Sequence, residues 1–214
     1  MRELNQRKRK NYFNILLDEL EFEIPSWKQI YWFLLNLAKT IQNDGFNADI
    51  IVGVSRGGWL PARILSDLLE NPKLANITAE FYMGTTKIRR QPIITQPVSV
   101  SVKDKKILLV DDVADTGESL KLVNSHLKED GASEIKIATI YRKPWSTIVP
   151  DYYAKETCLW IVFPWEIKET IRKTVEKFRR QVKTVKEIKE KLISMGLERK
   201  LVERFIKEIF GKEH

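Results

Sequence analysis

Residues 106–120 constrain this chain more than any other segment. Lys106 opens a nearly continuous apolar run, Ile107-Leu108-Leu109-Val110, that is short and shows no polar alternation. That is the pattern of a strand covered on both faces, as in a parallel sheet layered between helices. Asp111-Asp112 stand at its C-terminal end. After Val113-Ala114-Asp115, Thr116-Gly117 turns the chain into a helix carrying Glu118, Ser119, Leu120, Val123 and Leu127, which Gly131 ends. Ligands of open α/β sheets collect at the C-terminal ends of strands. Backbone N–H groups at a helix start, with the Thr116 and Ser119 hydroxyls beside them, suit a phosphate. The carboxylates suit sugar hydroxyls or a hydroxyl-bound Mg²⁺, a hard cation that prefers oxygen ligands. An anion site next to a diol site fits a phosphorylated ribose.

The flanking sequence repeats the strand–helix alternation. Asp49 to Val54 is a short β-branched strand ended by Ser55-Arg56-Gly57-Gly58, with a helical stretch to about Leu69. Ile77 to Tyr82 and Ile135 to Tyr141 read as further strands, so the expected fold class is α/β. Upstream, Pro25-Ser26 starts a helix on which Trp27, Ile30, Tyr31, Leu34, Leu35, Ala38 and Ile41 recur at helical spacing until Asp44-Gly45. Tyr12 to Leu20 is a candidate for a shorter helix. From about Glu166 no strand signal remains. Ile167, Ile171, Val175 and Phe178 form one stripe; Thr184-Val185-Lys186-Glu187 is a capping-box pattern opening a second helix that Gly196 ends; Leu201, Val202, Phe205, Ile206 and Ile209 form a third. The expected division is an α/β domain over 1–165 and a helical module over 166–214.

Composition narrows the function classes. A hydrophobic share of 43% and a charged share of 31% place the 214 residues among ordinary globular chains rather than disordered ones. One cysteine, Cys158, excludes an internal disulfide or a multi-cysteine metal site, and it reads as a buried hydrophobe. No apolar stretch reaches membrane-spanning length, and the basic start Arg7-Lys8-Arg9-Lys10 leads into acidic residues rather than the apolar region of a signal peptide, so a cytoplasmic location is expected. The net charge of +8 is uneven: from Glu166 onward 15 Lys/Arg face 9 Asp/Glu, a net of +6, whereas 47–164 has 15 against 14. The basic tail reads as a solvated helical face rather than a nucleic-acid groove.

Two other motifs share the acidic pair and fail on context. The metal-binding acids of prenyl-chain enzymes sit on helices in all-α folds, and here a strand precedes them. In response-regulator receivers the acidic pair opens the domain, with the Lys-Pro several elements later; here Lys143-Pro144 follows after only one helix and one strand.

Leu108 to Leu120 is similar to the phosphoribosyl pyrophosphate (PRPP) motif of type I phosphoribosyltransferases: an apolar strand, two acids, then Asp-Thr-Gly-x-Ser/Thr. The resemblance implies a type I phosphoribosyltransferase fold, a parallel sheet flanked by helices with a small hood. It assigns the ribose hydroxyls to Asp111 and Asp112, with Asp112 also near Mg²⁺. The 5′-phosphate turn is Ala114-Asp115-Thr116-Gly117-Glu118-Ser119, with Asp115 beside the purine where it could handle the N7 proton. Ser55-Arg56-Gly57 resembles the family's pyrophosphate loop, in which the bond before the basic residue is often cis. Leu159 to Glu166 resembles the hood of 6-oxopurine enzymes, which places Trp160 against the purine and the Ile161 backbone at its edge. Tyr141 to Pro144 resembles the loop whose lysine, here Lys143, reaches the 6-substituent. Gly84 to Gln96 resembles the mobile loop that covers the site, with Lys87, Arg89 and Arg90 as candidate pyrophosphate contacts.

The resemblance covers roughly residues 26–166 and leaves the C-terminal helices unexplained. It implies purine salvage with PRPP and a purine base as substrates, Mg²⁺ as cofactor and a homodimer. The hood and Lys143 favour a 6-oxopurine. The chain as a whole looks most like crenarchaeal enzymes that also serve as adenine phosphoribosyltransferases, so adenine is the expected base and a 6-oxopurine the alternative. A regulator with the same fold, binding nucleic acid through the basic tail, is the alternative of another class.

Overall fold

The computed structural model describes residues 21–83, 90–179 and 184–211. The candidate helix at 12–20 lies outside them. The chain packs as two compact units, one formed by 30–158 and the other by 21–29 together with 159–211.

The larger unit is built on a six-stranded sheet in the order β4-β3-β2-β5-β6-β7. Its strands are β2 (Ile50–Ser55), β3 (Leu74–Met83), β4 (Arg90–Gln96), β5 (Lys106–Ala114), β6 (Glu134–Arg142) and β7 (Tyr152–Glu156). All neighbours are parallel except β3 and β4, which form an antiparallel pair. Thus β5 is central, and Ile107 to Val110 are buried on both faces as the apolar run requires. On one face Val52, Val54, Ile107 and Leu109 meet Leu120, Val123 and Leu127 of a helix at Glu118–Glu129. On the other, the helix Trp59–Leu68 approaches β2 so closely that a Cβ on Gly53 would stand 2.9 Å from the Ala62 Cβ. Here glycine lets helix and strand touch.

The helix Trp27–Asn43 starts where Ser26 caps it: the Gln29 N–H donates to Ser26 Oγ at 3.2 Å, and the Ser26 N–H donates back to Gln29 Oε1 at 2.8 Å. Ile30, Leu34, Leu37, Ala38 and Ile41 form its buried stripe, and Phe33 meets Tyr141 of β6 edge-on at 5.8 Å. These three helices are α1 (Trp27–Asn43), α2 (Trp59–Leu68) and α3 (Glu118–Glu129).

The smaller unit holds two short strands, β1 (Phe22–Glu23) and β8 (Trp160–Ile161), paired in parallel, and three helices, α4 (Ile167–Arg179), α5 (Val185–Ser194) and α6 (Arg199–Phe210). Val162, Ile171, Val175, Phe178, Ile188, Leu192, Leu197 and Val202 form one core, with Phe22 and Ile24 packed against it. The Thr184–Glu187 capping box forms as the sequence implies, and Gly196 takes φ +105° just past α5. Many cations here face carboxylates: Lys168 pairs with Glu208, and Lys189 and Arg199 with Glu203. Lys189 holds Glu203, and Lys168 holds Glu208, below the usual carboxylate range. Among the described residues, no helix is long and apolar enough to cross a membrane.

The structure corrects two expectations. Residues 90–96, taken as part of a mobile loop, form strand β4, because Arg90 to Gln96 complete a backbone ladder with β3. Lys87 and Arg89 lie outside the described residues. Cys158, read as a buried hydrophobe, is exposed in the link between β7 and β8. The link from Pro144 to Trp160 contains β7, whose Tyr152-Tyr153-Ala154-Lys155-Glu156 is too polar to show a strand pattern.

Candidate active site

Parallel strands β2 and β5 end side by side, and their C-terminal ends carry the two motifs. After β2 the chain turns through Ser55-Arg56-Gly57-Gly58, with a cis Ser55–Arg56 peptide as the resemblance implies. Both glycines are needed for contact with β5. A Cβ on Gly58 would overlap the Val110 carbonyl oxygen and stand 2.8 Å from the Asp111 Cα, while one on Gly57 would overlap the Asp112 carboxylate. The Gly-rich loop and the acidic pair are thereby brought together. Arg56 is exposed.

At the end of β5, the Asp112 N–H donates to Asp111 Oδ1 at 2.9 Å. Burial, then repulsion from Asp112, pushes the Asp111 carboxyl well above its usual pKa, although the Asp112 N–H works in the opposite direction. Beyond the acids, Gly117 takes φ +81° immediately before α3. A Cβ there would be 2.8 Å from Ile148 N and from Thr147 Oγ1, so this glycine is fixed by both conformation and space. The Glu118 N–H donates to Thr116 Oγ1 at 3.2 Å, closing the turn over the first residue of the helix. Ala114 is buried, Asp115 exposed, and Ser119 half-buried in the first turn of α3.

The link after β6 closes over this turn. The Lys143 N–H donates to the Ala114 carbonyl at 2.9 Å, and the Thr147 N–H to the Thr116 carbonyl at 3.0 Å. The Trp145 indole N–H donates to Asp115 Oδ1 at 3.0 Å, and the Lys143 ammonium stands 5.5 Å from the centre of the Trp145 ring. Lys143 is only 5% exposed. Sequence reasoning missed Trp145 and Thr147. Their only signal is position, directly after Lys143-Pro144.

In the smaller unit, Trp160 is 43% exposed and Ile161 buried, both on β8 in register with Phe22 and Glu23. Trp165 stacks on Phe163 at 4.7 Å and lies against Trp27 at 5.6 Å. The larger unit thus unites Ser55, Arg56, Gly57, Asp111, Asp112, Ala114, Asp115, Thr116, Gly117, Glu118, Ser119 and Lys143 around neighbouring strand ends; Trp160 and Ile161 belong to the other unit. A cleft lined by Phe46, Ala48, Leu69 and Pro72 opens at the opposite end of β2 and shares no residue with either motif. Its shape therefore does not mark the chemistry.

The oxygen donors of the acidic pair fit a hard divalent cation. Among the described residues no group of three or more His, Cys, Asp or Glu side chains could enclose one. The donor set suits a cation shared between one or two carboxylates and the oxygens of a substrate.

The phosphoribosyl transferase domain model matches residues 26–171. The chain is 31% identical over 150 residues to a xanthine-guanine phosphoribosyltransferase of Cereibacter sphaeroides, covering 66% of this chain and 85% of that protein. It is 26% identical over 149 residues to the Gluconobacter oxydans protein of the same name, covering 69% and 86%. A solved purine phosphoribosyltransferase from Pyrococcus horikoshii superposes with a TM-score of 0.62 at 41% identity, over 68% of this chain and 94% of that one.

Proposed function

This chain belongs to the phosphoribosyl transferase domain family, among its purine enzymes, and from that premise we propose that it transfers the 5-phosphoribosyl group of PRPP to a 6-oxopurine. The observation that carries the reading is the packing of the Gly57 turn onto the Asp112 carboxylate, which sets a phosphate loop and a diol-binding pair side by side. From the sequence alone, adenine is the expected base. The relatives named as xanthine-guanine enzymes favour the alternative. So does the buried Lys143, since a cation suits a carbonyl acceptor and gains little from an amino group.

In this reading the Thr116, Gly117 and Ser119 end of α3 holds the 5′-phosphate, with Ala114 and Glu118 completing the turn. Asp111 and Asp112 hold the ribose hydroxyls. Ser55, Arg56 and Gly57 bind the pyrophosphate group. Asp115 takes the N7 proton, Lys143 meets the 6-oxygen, and Trp160 and the Ile161 backbone bind the base. Mg²⁺, held through Asp112 and substrate oxygens, would neutralise charge on the leaving pyrophosphate. The purine nitrogen forms its bond to C1 as the bond to pyrophosphate breaks, and the ribose carries positive charge between the two events. Alignment and charge placement supply the catalysis, with no covalent nucleophile.

A homodimer is proposed on the same family grounds, with the cytoplasm as its expected location. The ion pairs of α4–α6 support a solvated face rather than a nucleic-acid groove. The test is kcat/KM for adenine, hypoxanthine, guanine and xanthine, each with PRPP. A 6-oxopurine should be preferred at least about tenfold, and preference for adenine would overturn the base assignment.

A further inference from the structure

The link between β6 and β7 holds the turn after β5 almost residue by residue. Three of its hydrogen bonds end on backbone carbonyls: Lys143 N–H on Ala114, and the Thr147 N–H and hydroxyl on Thr116, the last at 2.7 Å. These fix the path of the chain. A fourth differs in kind, because the Trp145 indole N–H ends on the carboxylate of Asp115. The same indole faces the Lys143 ammonium through its ring. Trp145 therefore touches both groups of the larger unit that are assigned to the purine edge, one through its N–H and the other through its π face.

We infer that Trp145 is a positioning residue that sets the spacing and direction of Asp115 and Lys143, and with them the match to a purine bearing a carbonyl beside a proton-carrying nitrogen. The inference rests on the roles proposed above for those two residues. An indole N–H on a carboxylate is a charge-assisted bond that fixes one oxygen and leaves the other to point at the base. The indole face adds a directional contact to the Lys143 ammonium, 5.5 Å from the ring centre, which restrains where that long side chain ends. Asp115 is exposed, so without the indole its carboxylate would distribute over several rotamers.

Trp145→Phe keeps a ring beneath Lys143 and removes only the donor, and Trp145→Leu removes both. Trp145 is partly exposed, so neither change should unfold the chain, and thermal melts check this. Trp145→Phe should lower kcat about tenfold with KM for PRPP unchanged. Trp145→Leu should add a rise in KM for the base. In an Asp115→Ala background Trp145→Phe should have no further effect, a coupling that a merely structural tryptophan would not show. An active wild type with Trp145→Phe at wild-type kcat, or a loss of equal size with and without Asp115, overturns the role and leaves the function standing. A wild type that forms no nucleotide from any purine overturns the reading of the site and this role together.

Discussion

Alanine at Gly57 separates catalytic geometry from stability. Gly57 does not take a positive φ, so its backbone accepts a side chain. The added Cβ would overlap the Asp112 carboxyl carbon and Oδ2 outright and stand 2.7 Å from Oδ1. Ordinary contact begins at 3.4 Å, so even Oδ1 must retreat by 0.7 Å (3.4 − 2.7), and Oδ2 by more. The carboxylate is the far end of a side chain that can rotate, so the sheet need not deform and the stability cost is about 1 kcal/mol. The chemistry is less forgiving. A misplacement of about 1 Å in an aligning group costs on the order of 10²-fold in rate, or ~2.7 kcal/mol of barrier. Gly58→Ala is the contrast, because its Cβ meets the Val110 and Val54 carbonyls and the Asp111 Cα, none of which can rotate away. It should cost about 1–3 kcal/mol of stability. The assay is steady-state turnover with PRPP and a 6-oxopurine, run beside thermal melts of both variants. A Gly57→Ala protein that melts normally with turnover within about threefold of wild type would refute the argument that Asp112 must stay where Gly57 lets it sit.

Asp111, raised well above the usual carboxylate range, binds more protons in the folded state than in the unfolded one. Its contribution to stability is full below the unfolded value of about 3.9 and is lost as pH rises through the folded pKa. Asp111→Asn keeps an acceptor for the Asp112 N–H, so it should melt above wild type at pH 7, with the gap closing towards pH 4, while turnover falls. A lower melting temperature at pH 7 would reject the linkage. Phe178, 1% exposed in the core that also holds Val162, joins α4 to the segment following β8. Phe178→Ala should cost about 3–5 kcal/mol within that unit and raise KM for the base several-fold, with KM for PRPP unchanged. Kinetics identical to wild type below the melting transition would remove the helical unit from base binding.

The central strand and its turn were legible because each residue in them answers to one strong constraint. Ile107 to Val110 must be apolar to sit under helices on both faces, and Gly117 must be glycine to take φ +81° against Ile148. Other parts were not legible, for physical reasons. β7 lies at the sheet edge, so Tyr153, Lys155 and Glu156 face solvent and break the apolar pattern. The two-residue strands β1 and β8 are too short for any periodicity, and only their pairing across the sequence reveals them. Trp145 carries no motif signal; its part depends on the Asp115 carboxylate lying 3.0 Å away, a distance that spacing along the chain does not encode. Lys143 stands out in the sequence by its place before Pro144, but its burial to 5% exposure depends on packing that spacing along the chain does not encode.

Group transfer is directly measurable. Purified protein is mixed with PRPP, Mg²⁺ and guanine, xanthine or hypoxanthine, and nucleotide and pyrophosphate are quantified in the same reaction. The expected result is nucleoside monophosphate and pyrophosphate in equal amounts, formed catalytically, dependent on Mg²⁺, and abolished by Asp112→Asn together with Asp115→Ala. PRPP bound without turnover of any purine, alongside salt-sensitive binding of nucleic acid, would contradict it and make the chain a regulator built on the same fold.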